Sequence, residues 1–295
     1  MTERNLFWSQ YKALEKEFLK TTRYITFDDN HTNVYSEQFI DILMRTWVEI
    51  ETISKKLFLE NGGSPKTDGS TLYFDGDCLK FLNDNWHLNK KRISVDYINF
   101  YFEKEENTSF QPLKNCEKTG DRSSRWKRAY QAVKHDRSKN HSQASLINCL
   151  KSLGALYLLN VYYKGFELNN ISKSEKDKID YHLGSEIFVA STDEHIGTDD
   201  KIEDIEAVVS IRTNEQQQKR MRSFITEANI NTGKRIVEEL LKTIGNKRLS
   251  DDLESEVKGA LKGIDSNKIA IEETHKTPIF NEFSNLKLDV RLVKR

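Results

Sequence analysis

Arg128 and His135 are the two residues of this sequence whose types and spacing could carry out a reaction. They belong to a helix-forming stretch, RAYQAVKHDR, which spans residues 128 to 137. Seven residues make two helical turns, so both side chains are expected on one face, about 10 Å apart along the axis. A histidine near neutrality can take the proton from a ribose 2′-OH, and a guanidinium can hold a phosphate as charge develops on its oxygens. The pair therefore predicts metal-independent RNA cleavage.

A single protomer supplies few groups for such a site. Two copies of the helix that carries Arg128 and His135, crossing at a dimer axis, would place two arginines and two histidines around one cleft. The sequence therefore predicts a homodimer formed through this helix, with RNA as the partner that enters the cleft.

The neighbours of the pair are candidates for binding the substrate. From Lys114 to Lys139 there are nine Lys or Arg residues and three acidic residues, a local net charge of +6 in a chain that is neutral overall. Such segregated charge produces a local field. We predict that five residues contact the RNA: Lys127, Tyr130, Lys134, Arg137 and His141. A structural role is open for several of them, since Tyr130 has core spacing with Val133 and helix charges commonly only solvate a face.

Other kinds of site are excluded by the pattern. The histidines form no H-x-x-x-H or H-E-x-x-H motif and the three cysteines have no zinc-type spacing, so we expect no metal and no cofactor. An odd number of unpatterned cysteines favours a reducing compartment. The first residues are too charged for a signal peptide, and the most apolar run, residues 146 to 163, is interrupted by Lys151. These features predict a cytoplasmic protein with no membrane partner.

Helical periodicity dominates the first part of the chain. Helices are predicted to begin after Thr2, after Ser36 and after Ser123 or Ser124, and the most apolar one covers residues 142–163. The second of them is expected to end at Asn61-Gly62-Gly63. Residues 93–102 are rich in β-branched and aromatic residues and predict an extended segment.

After Gly165 the pattern changes to a mixture of strands and helices. The predicted strands are residues 186–191, the pair Ile269 and Ile271, and the alternating run Leu286–Leu292; the predicted helices are 214–228, 233–244 and 251–262. The fold class is therefore mainly α, with an antiparallel helical bundle followed by a smaller α/β part. The predicted domains are the bundle (1–168), a linker (169–184) and an α/β domain of open role (185–295).

The stretch WKRAYQAVKHDR (126–137), preceded by YSEQFIDILMRTWVEIETISKKLF (35–58) and followed by a long apolar helix, resembles the HEPN (higher eukaryotes and prokaryotes nucleotide-binding) helical domains. The resemblance covers residues 1–165. It implies a small α-bundle, usually dimeric, and many members are metal-independent ribonucleases of toxin–antitoxin and antiviral systems. Their signature is an Arg, four to six residues, then a His, and Arg128 with His135 fits that spacing. A protein partner such as an antitoxin is implied as well.

A second interpretation is a non-catalytic bundle of the same type that serves dimerisation or partner binding. Active HEPN members usually carry a polar residue after the arginine, whereas Ala129 stands here, and the pair Arg137 and His141 is one residue too close for the signature. The basic patch could then meet an acidic surface, for example the chain's own segment 173–206, which has eleven acidic residues against four lysines. A third interpretation is a small-molecule or nucleotide sensor in the C-terminal α/β part.

Overall fold

A computed structural model describes residues 6–163, 180–195, 204–213, 215–245, 253–278 and 288–293. The fold is mainly helical with small β-sheets, as the sequence predicts. The α-helices are α1 (Leu6–Lys20), α2 (Glu37–Glu60), α3 (Lys80–Trp86), α4 (Glu105–Thr108), α5 (Arg125–His135), α6 (Arg137–Asn140), α7 (Leu146–Tyr163), α8 (Glu215–Gly245), α9 (Leu253–Lys262) and α10 (Ser266–His275). The strands are β1 (Phe27–Asp28), β2 (Ile93–Val95), β3 (Phe100–Tyr101), β4 (Ser109–Phe110), β5 (Phe188–Ala190), β6 (Thr192–His195), β7 (Val209–Thr213) and β8 (Leu288–Leu292).

Helix α7 lies at the centre of the first part and packs against α1, α2 and α5. Its side chains are apolar on almost all sides, and Leu150, Leu153 and Tyr157 are each fully buried. Two of its polar residues bond within the helix, Ser152 to the Cys149 carbonyl at 2.8 Å and the Asn160 amide to the Leu156 carbonyl at 3.0 Å. The prediction that this helix is the most buried one is confirmed.

The predicted ends of α2 are also confirmed. The Ser36 hydroxyl accepts a hydrogen bond from the Phe39 amide at 3.2 Å, which satisfies one of the free N–H groups of the first turn. At the other end, the Gly63 amide donates to the Phe58 carbonyl at 2.9 Å, and Gly62 has a φ of 98°. A side chain is strained at this angle, so glycine ends the helix here.

The strands form three small sheets in the order β1-β3, β4-β2-β5 and β6-β7-β8. The predicted extended segment 93–102 contributes β2 and β3. Strand β5 pairs antiparallel with β2, with Ile93 opposite Ala190. Glu15 of α1 holds the preceding turn, because its buried carboxylate accepts bonds from the Ser185 hydroxyl at 2.5 Å and the Glu186 amide at 2.9 Å. Residues that the sequence assigns to the C-terminal part are thus bonded to the first part.

Helix α8 corrects one prediction, since the helices expected at 214–228 and 233–244 are one continuous helix. The Asn and Thr residues between them, and Gly233 at the start of the second, each cost a helix no more than about 1 kcal/mol relative to alanine. Packing against α10 offsets this cost, and Arg235 forms ion pairs with Glu272 at 2.7 Å and Glu273 at 3.2 Å.

A second correction concerns Ile269 and Ile271, which lie in α10 and not in a strand. The Asp265 carboxylate caps this helix by accepting a bond from the Lys268 amide at 2.9 Å. An alternation of only three residues does not separate a strand from a helix, so the strand prediction was wrong. The strand predicted near the end is confirmed as β8.

Several predictions lie outside the described residues: the cap at Thr2, most of the linker 169–184 and much of the acidic segment 173–206. Among the residues that the structure does describe, no helix is long and apolar enough to cross a membrane.

Candidate functional site

The inner face of α5 is fixed to the helical core. The Tyr130 ring stacks on Trp47 of α2, with 3.9 Å between the ring centroids and 7° between the planes. Trp126 is buried, and its indole Nε1 donates to the Pro112 carbonyl at 3.0 Å. Ala129 and Val133 complete this buried face. Because the inner face is anchored, the outer face of α5 has a fixed direction.

Arg128 and His135 lie on that outer face, and both are exposed to solvent. Arg128 donates to the Asp121 carbonyl in the 3₁₀ turn before α5, which engages one of the five N–H groups of its guanidinium. His135 is the last residue of α5, and its ring makes no hydrogen bond or ion pair with any described residue. The two groups are free to meet a ligand, about 10 Å apart along the axis.

Three further candidates surround the C-terminal end of α5. The Lys134 ammonium lies 5.7 Å from the centroid of the Tyr130 ring, and the residue is exposed. Arg137 forms an ion pair with Glu37 at the start of α2. The His141 ring packs edge-on against Tyr35 at 5.1 Å, and its Nδ1 lies 3.2 Å from the Ser138 carbonyl. Lys134 and Arg137 are exposed and His141 is partly exposed, all within six positions of His135 in the sequence, although Arg137 is already paired.

Lys127 is a correction to the predicted substrate contacts. Only 4% of it is exposed, and its ammonium donates three hydrogen bonds: to the Asp75 carboxylate at 2.8 Å, the Cys116 carbonyl at 2.8 Å and the Lys118 carbonyl at 2.7 Å. An ammonium has three N–H groups, so none is left for a phosphate. Lys127 joins α5 to the π-helical segment Phe74–Leu79 and to the 116–118 loop.

Tyr130 is the second correction, because it is 5% exposed and belongs to the core. Burial raises the pKa of its hydroxyl, and the charge of Glu51 raises it further. The ring face on which a nucleobase of the RNA would stack is already occupied by Trp47. The core role that the spacing to Val133 allowed is the one observed.

The described ranges contain no group of side chains placed to bind a metal ion and no exposed cysteine. No group of three or more His, Cys, Asp or Glu side chains is placed there to hold a metal ion. The three cysteines are free and buried. Burial raises the pKa of Cys78 to about 11 and that of Cys116 to about 12, so neither thiol is ionised near neutrality.

Lys151 of α7 and Arg125 of α5 are missed by the sequence reasoning. Both line a cavity at the N-terminal end of α5. The sequence does contain a signal for Lys151, since it is the single charged residue in the apolar run 146–163. A lysine in an otherwise buried helix needs acceptors for its ammonium, from the protein, from water or from a ligand.

Comparison with protein-family models, with curated proteins and with solved structures gives no match for this chain.

Proposed function

We propose that this protein is a metal-independent RNA endonuclease in which His135 is the general base and Arg128 binds the phosphate. The observation that carries the proposal is the exposure of both side chains on one outer face of α5, whose inner face is anchored by the Tyr130–Trp47 stack. Groups on a rigid element keep the orientation that a reaction needs. The resemblance to HEPN domains points to the same two residues.

The proposed reaction begins with the transfer of the ribose 2′-OH proton to the His135 imidazole. The 2′ oxygen then attacks the adjacent phosphorus, and the bond from phosphorus to the 5′ oxygen breaks. The imidazolium formed at His135 returns the proton to the leaving 5′ oxygen. The products are a 2′,3′-cyclic phosphate and a 5′-OH end. Arg128 neutralises the charge that builds on the non-bridging oxygens.

A homodimer through the outer face of α5 is part of this proposal. About 10 Å of axial rise separates Arg128 from His135, so a second copy would bring the base of one chain towards the guanidinium of the other. Light scattering at tens of micromolar should report a dimer. Insertion of a charge between the two residues, with Ala132→Arg, should yield a folded monomer, and a wild-type monomer would contradict this geometry.

The cellular setting is proposed on the resemblance and on the cysteines. Three unpaired, buried thiols are compatible with a reducing compartment, and we propose a cytoplasmic effector of a bacterial antiviral or toxin–antitoxin system. A protein partner that covers the outer face of α5, such as an antitoxin, would then control the activity.

A non-catalytic dimerisation or partner-binding module is the second candidate. Two observations favour it: Ala129 follows Arg128, and one guanidinium N–H already bonds to the Asp121 carbonyl. In that case the outer face of α5 would bind an acidic protein surface and leave RNA intact.

RNA cleavage by matched variants separates the two candidates. We expect His135→Ala and Arg128→Ala each to lower the cleavage rate at least about a hundredfold, the loss usual for a general acid–base group or a phosphate contact. Arg23→Ala is the control, since Arg23 is an exposed arginine in the 3₁₀ turn after α1, on another part of the surface. Circular dichroism and thermal melting should show the same fold for all variants.

The nature of the products and substrates provides the second half of the experiment. RNA with 2′-O-methyl groups and DNA should not be cut, because neither has a free 2′-OH. Cleaved RNA should carry cyclic phosphate ends, and chelators should have no effect. Cleavage that survives both substitutions, or that stops with EDTA, would show that the assigned chemistry is wrong.

A further inference from the structure

A cavity of about 480 Å³ opens where the N-terminal end of α5 meets α4, α7 and the loop after β4. Its wall contains four basic side chains and two acidic ones: Arg92, Lys114, Arg125, Lys151, Glu105 and Glu106. This composition is unlike that of an apolar ligand pocket, and it points to a charged ligand that is neutralised by cations.

Lys151 is the most informative of these residues. It projects from α7, whose neighbouring residues are almost all buried, and its own side chain is half-buried. The ammonium lies 5.5 Å from the centroid of the Phe110 ring and makes no hydrogen bond or ion pair with any described residue. Burial lowers the pKa of Lys151, the charge of Arg125 lowers it further and that of Glu106 raises it. An anion would supply the acceptors that this ammonium lacks.

Two more cations of the cavity are not neutralised by a described carboxylate. Lys114 is exposed, and its ammonium makes no hydrogen bond or ion pair within the described ranges. Arg125 donates to the neutral Asn33 side-chain oxygen at 2.9 Å. Arg92 differs, because it forms an ion pair with Glu206 at 2.7 Å. Lys151, Lys114 and Arg125 are therefore the three cations that can meet a ligand.

The cavity lies at the N-terminal end of α5, the helix that carries Arg128. Arg125 lines the cavity and precedes Arg128 by one helical turn, which is about 4.5 Å of axial rise. A nucleic-acid strand that contacts Arg128 therefore comes within a nucleotide or two of the cavity. A lysine ammonium binds a phosphate as a compact point charge, so the contact does not require one particular orientation of the phosphodiester.

We infer that this cavity binds a backbone phosphate of the RNA strand that crosses α5, with Lys151, Lys114 and Arg125 as its ligands. The inference rests on the proposed function for the source of the phosphate. The binding of a phosphate group does not depend on cleavage, and it can be measured separately.

Calorimetric titration of the 295-residue protein with inorganic phosphate is the first test. Lys151→Met removes the ammonium and keeps the aliphatic chain, and it should weaken phosphate binding about tenfold, as expected for the loss of one charged hydrogen bond. Glu106→Gln removes an opposing charge and should strengthen binding. The control is Lys16→Met, which removes an exposed lysine from α1. Absence of phosphate binding, or equal affinity in wild type and Lys151→Met, would overturn the inference.

A competition experiment identifies the source of the phosphate. Single-stranded RNA with 2′-O-methyl groups cannot be cleaved, and it should displace inorganic phosphate from wild type and bind Lys151→Met more weakly. A DNA strand of equal length should compete as well, since the backbone carries the contact. Displacement by an acidic peptide and not by either nucleic acid would overturn the assignment to RNA.

The two proposals can fail separately. If the cavity binds phosphate and uncleavable RNA but natural RNA stays intact, the assigned catalysis fails and the anchoring site stands. If RNA is cut and Lys151→Met binds inorganic phosphate and uncleavable RNA like wild type, the anchoring site fails and the assigned catalysis stands.

Discussion

Lys127 and Lys151 reach the same region, the loop between β4 and α5, from two different helices, and their surroundings are opposite. The Lys127 ammonium has three acceptors within 2.8 Å, one of them a carboxylate. The Lys151 ammonium has the face of Phe110 and no acceptor among the described residues. Removal of a buried cation whose hydrogen bonds are all made leaves its acceptors unpaired, whereas a half-buried cation with no protein acceptor depends on water or a ligand. The hydrogen-bond acceptors around each ammonium therefore separate the structural lysine from the candidate binding one.

The largest expected effect is on the Lys127 side of this comparison. Lys127→Met leaves the Asp75 carboxylate and two carbonyls without their donor, and we expect the free energy of unfolding to fall by about 3 kcal/mol. Urea denaturation of the variant measures this loss, with Lys16→Met as the exposed control that stays within about 0.5 kcal/mol of wild type. A loss below about 1 kcal/mol would show that the three hydrogen bonds contribute little to the stability of the fold.

Lys151 should give a smaller effect of opposite sign. Lys151→Met replaces a half-buried ammonium without acceptors by an apolar side chain of similar length, and we expect the free energy of unfolding to rise by about 1 kcal/mol. At the same concentration, added phosphate should stabilise wild type more than the variant, because a ligand that binds only the folded state raises its stability more when it binds more tightly. Thermal melts with and without phosphate test both statements, and a destabilised variant would place Lys151 with Lys127 among the structural lysines.

The same two lysines show how much of the structure can be predicted from the sequence. The Ser36 cap, the glycine stop of α2 and the buried α7 follow from local rules, because the residues that decide them are neighbours in the chain. The acceptors of Lys127 are set by tertiary contacts: Asp75 lies 52 positions away in the sequence. A charge count treats Lys127 and Lys134 alike, although one is buried and the other exposed.

The outer face of α5 could be predicted from the sequence for a different reason. Seven-residue spacing places Arg128 and His135 on one side of any helix, and the aromatic and apolar residues between them define the buried side. Helical periodicity therefore gave the correct face but not the depth of each residue, so Tyr130 was assigned to the substrate as well as to the core. The long α8 shows the converse limit, because packing on α10 overrides weak local propensity.

The smallest expected effect concerns a cation that is neither buried nor free, Arg137 in its surface ion pair with Glu37. Glu37→Gln removes the pair and one charge from the first turn of α2, and each is worth a few tenths of a kcal/mol, so the free energy of unfolding should fall by less than about 1 kcal/mol. The substitution also releases Arg137 next to His135. If RNA crosses this face, affinity for uncleavable RNA at low salt should rise about twofold, the change that corresponds to a surface charge contact. Asp41→Asn is the matched control, since Asp41 pairs with Arg45 one turn further along α2 at 3.2 Å. An equal gain in both variants would mean that RNA responds only to net charge, and a gain confined to Glu37→Gln would place the strand beside Arg137.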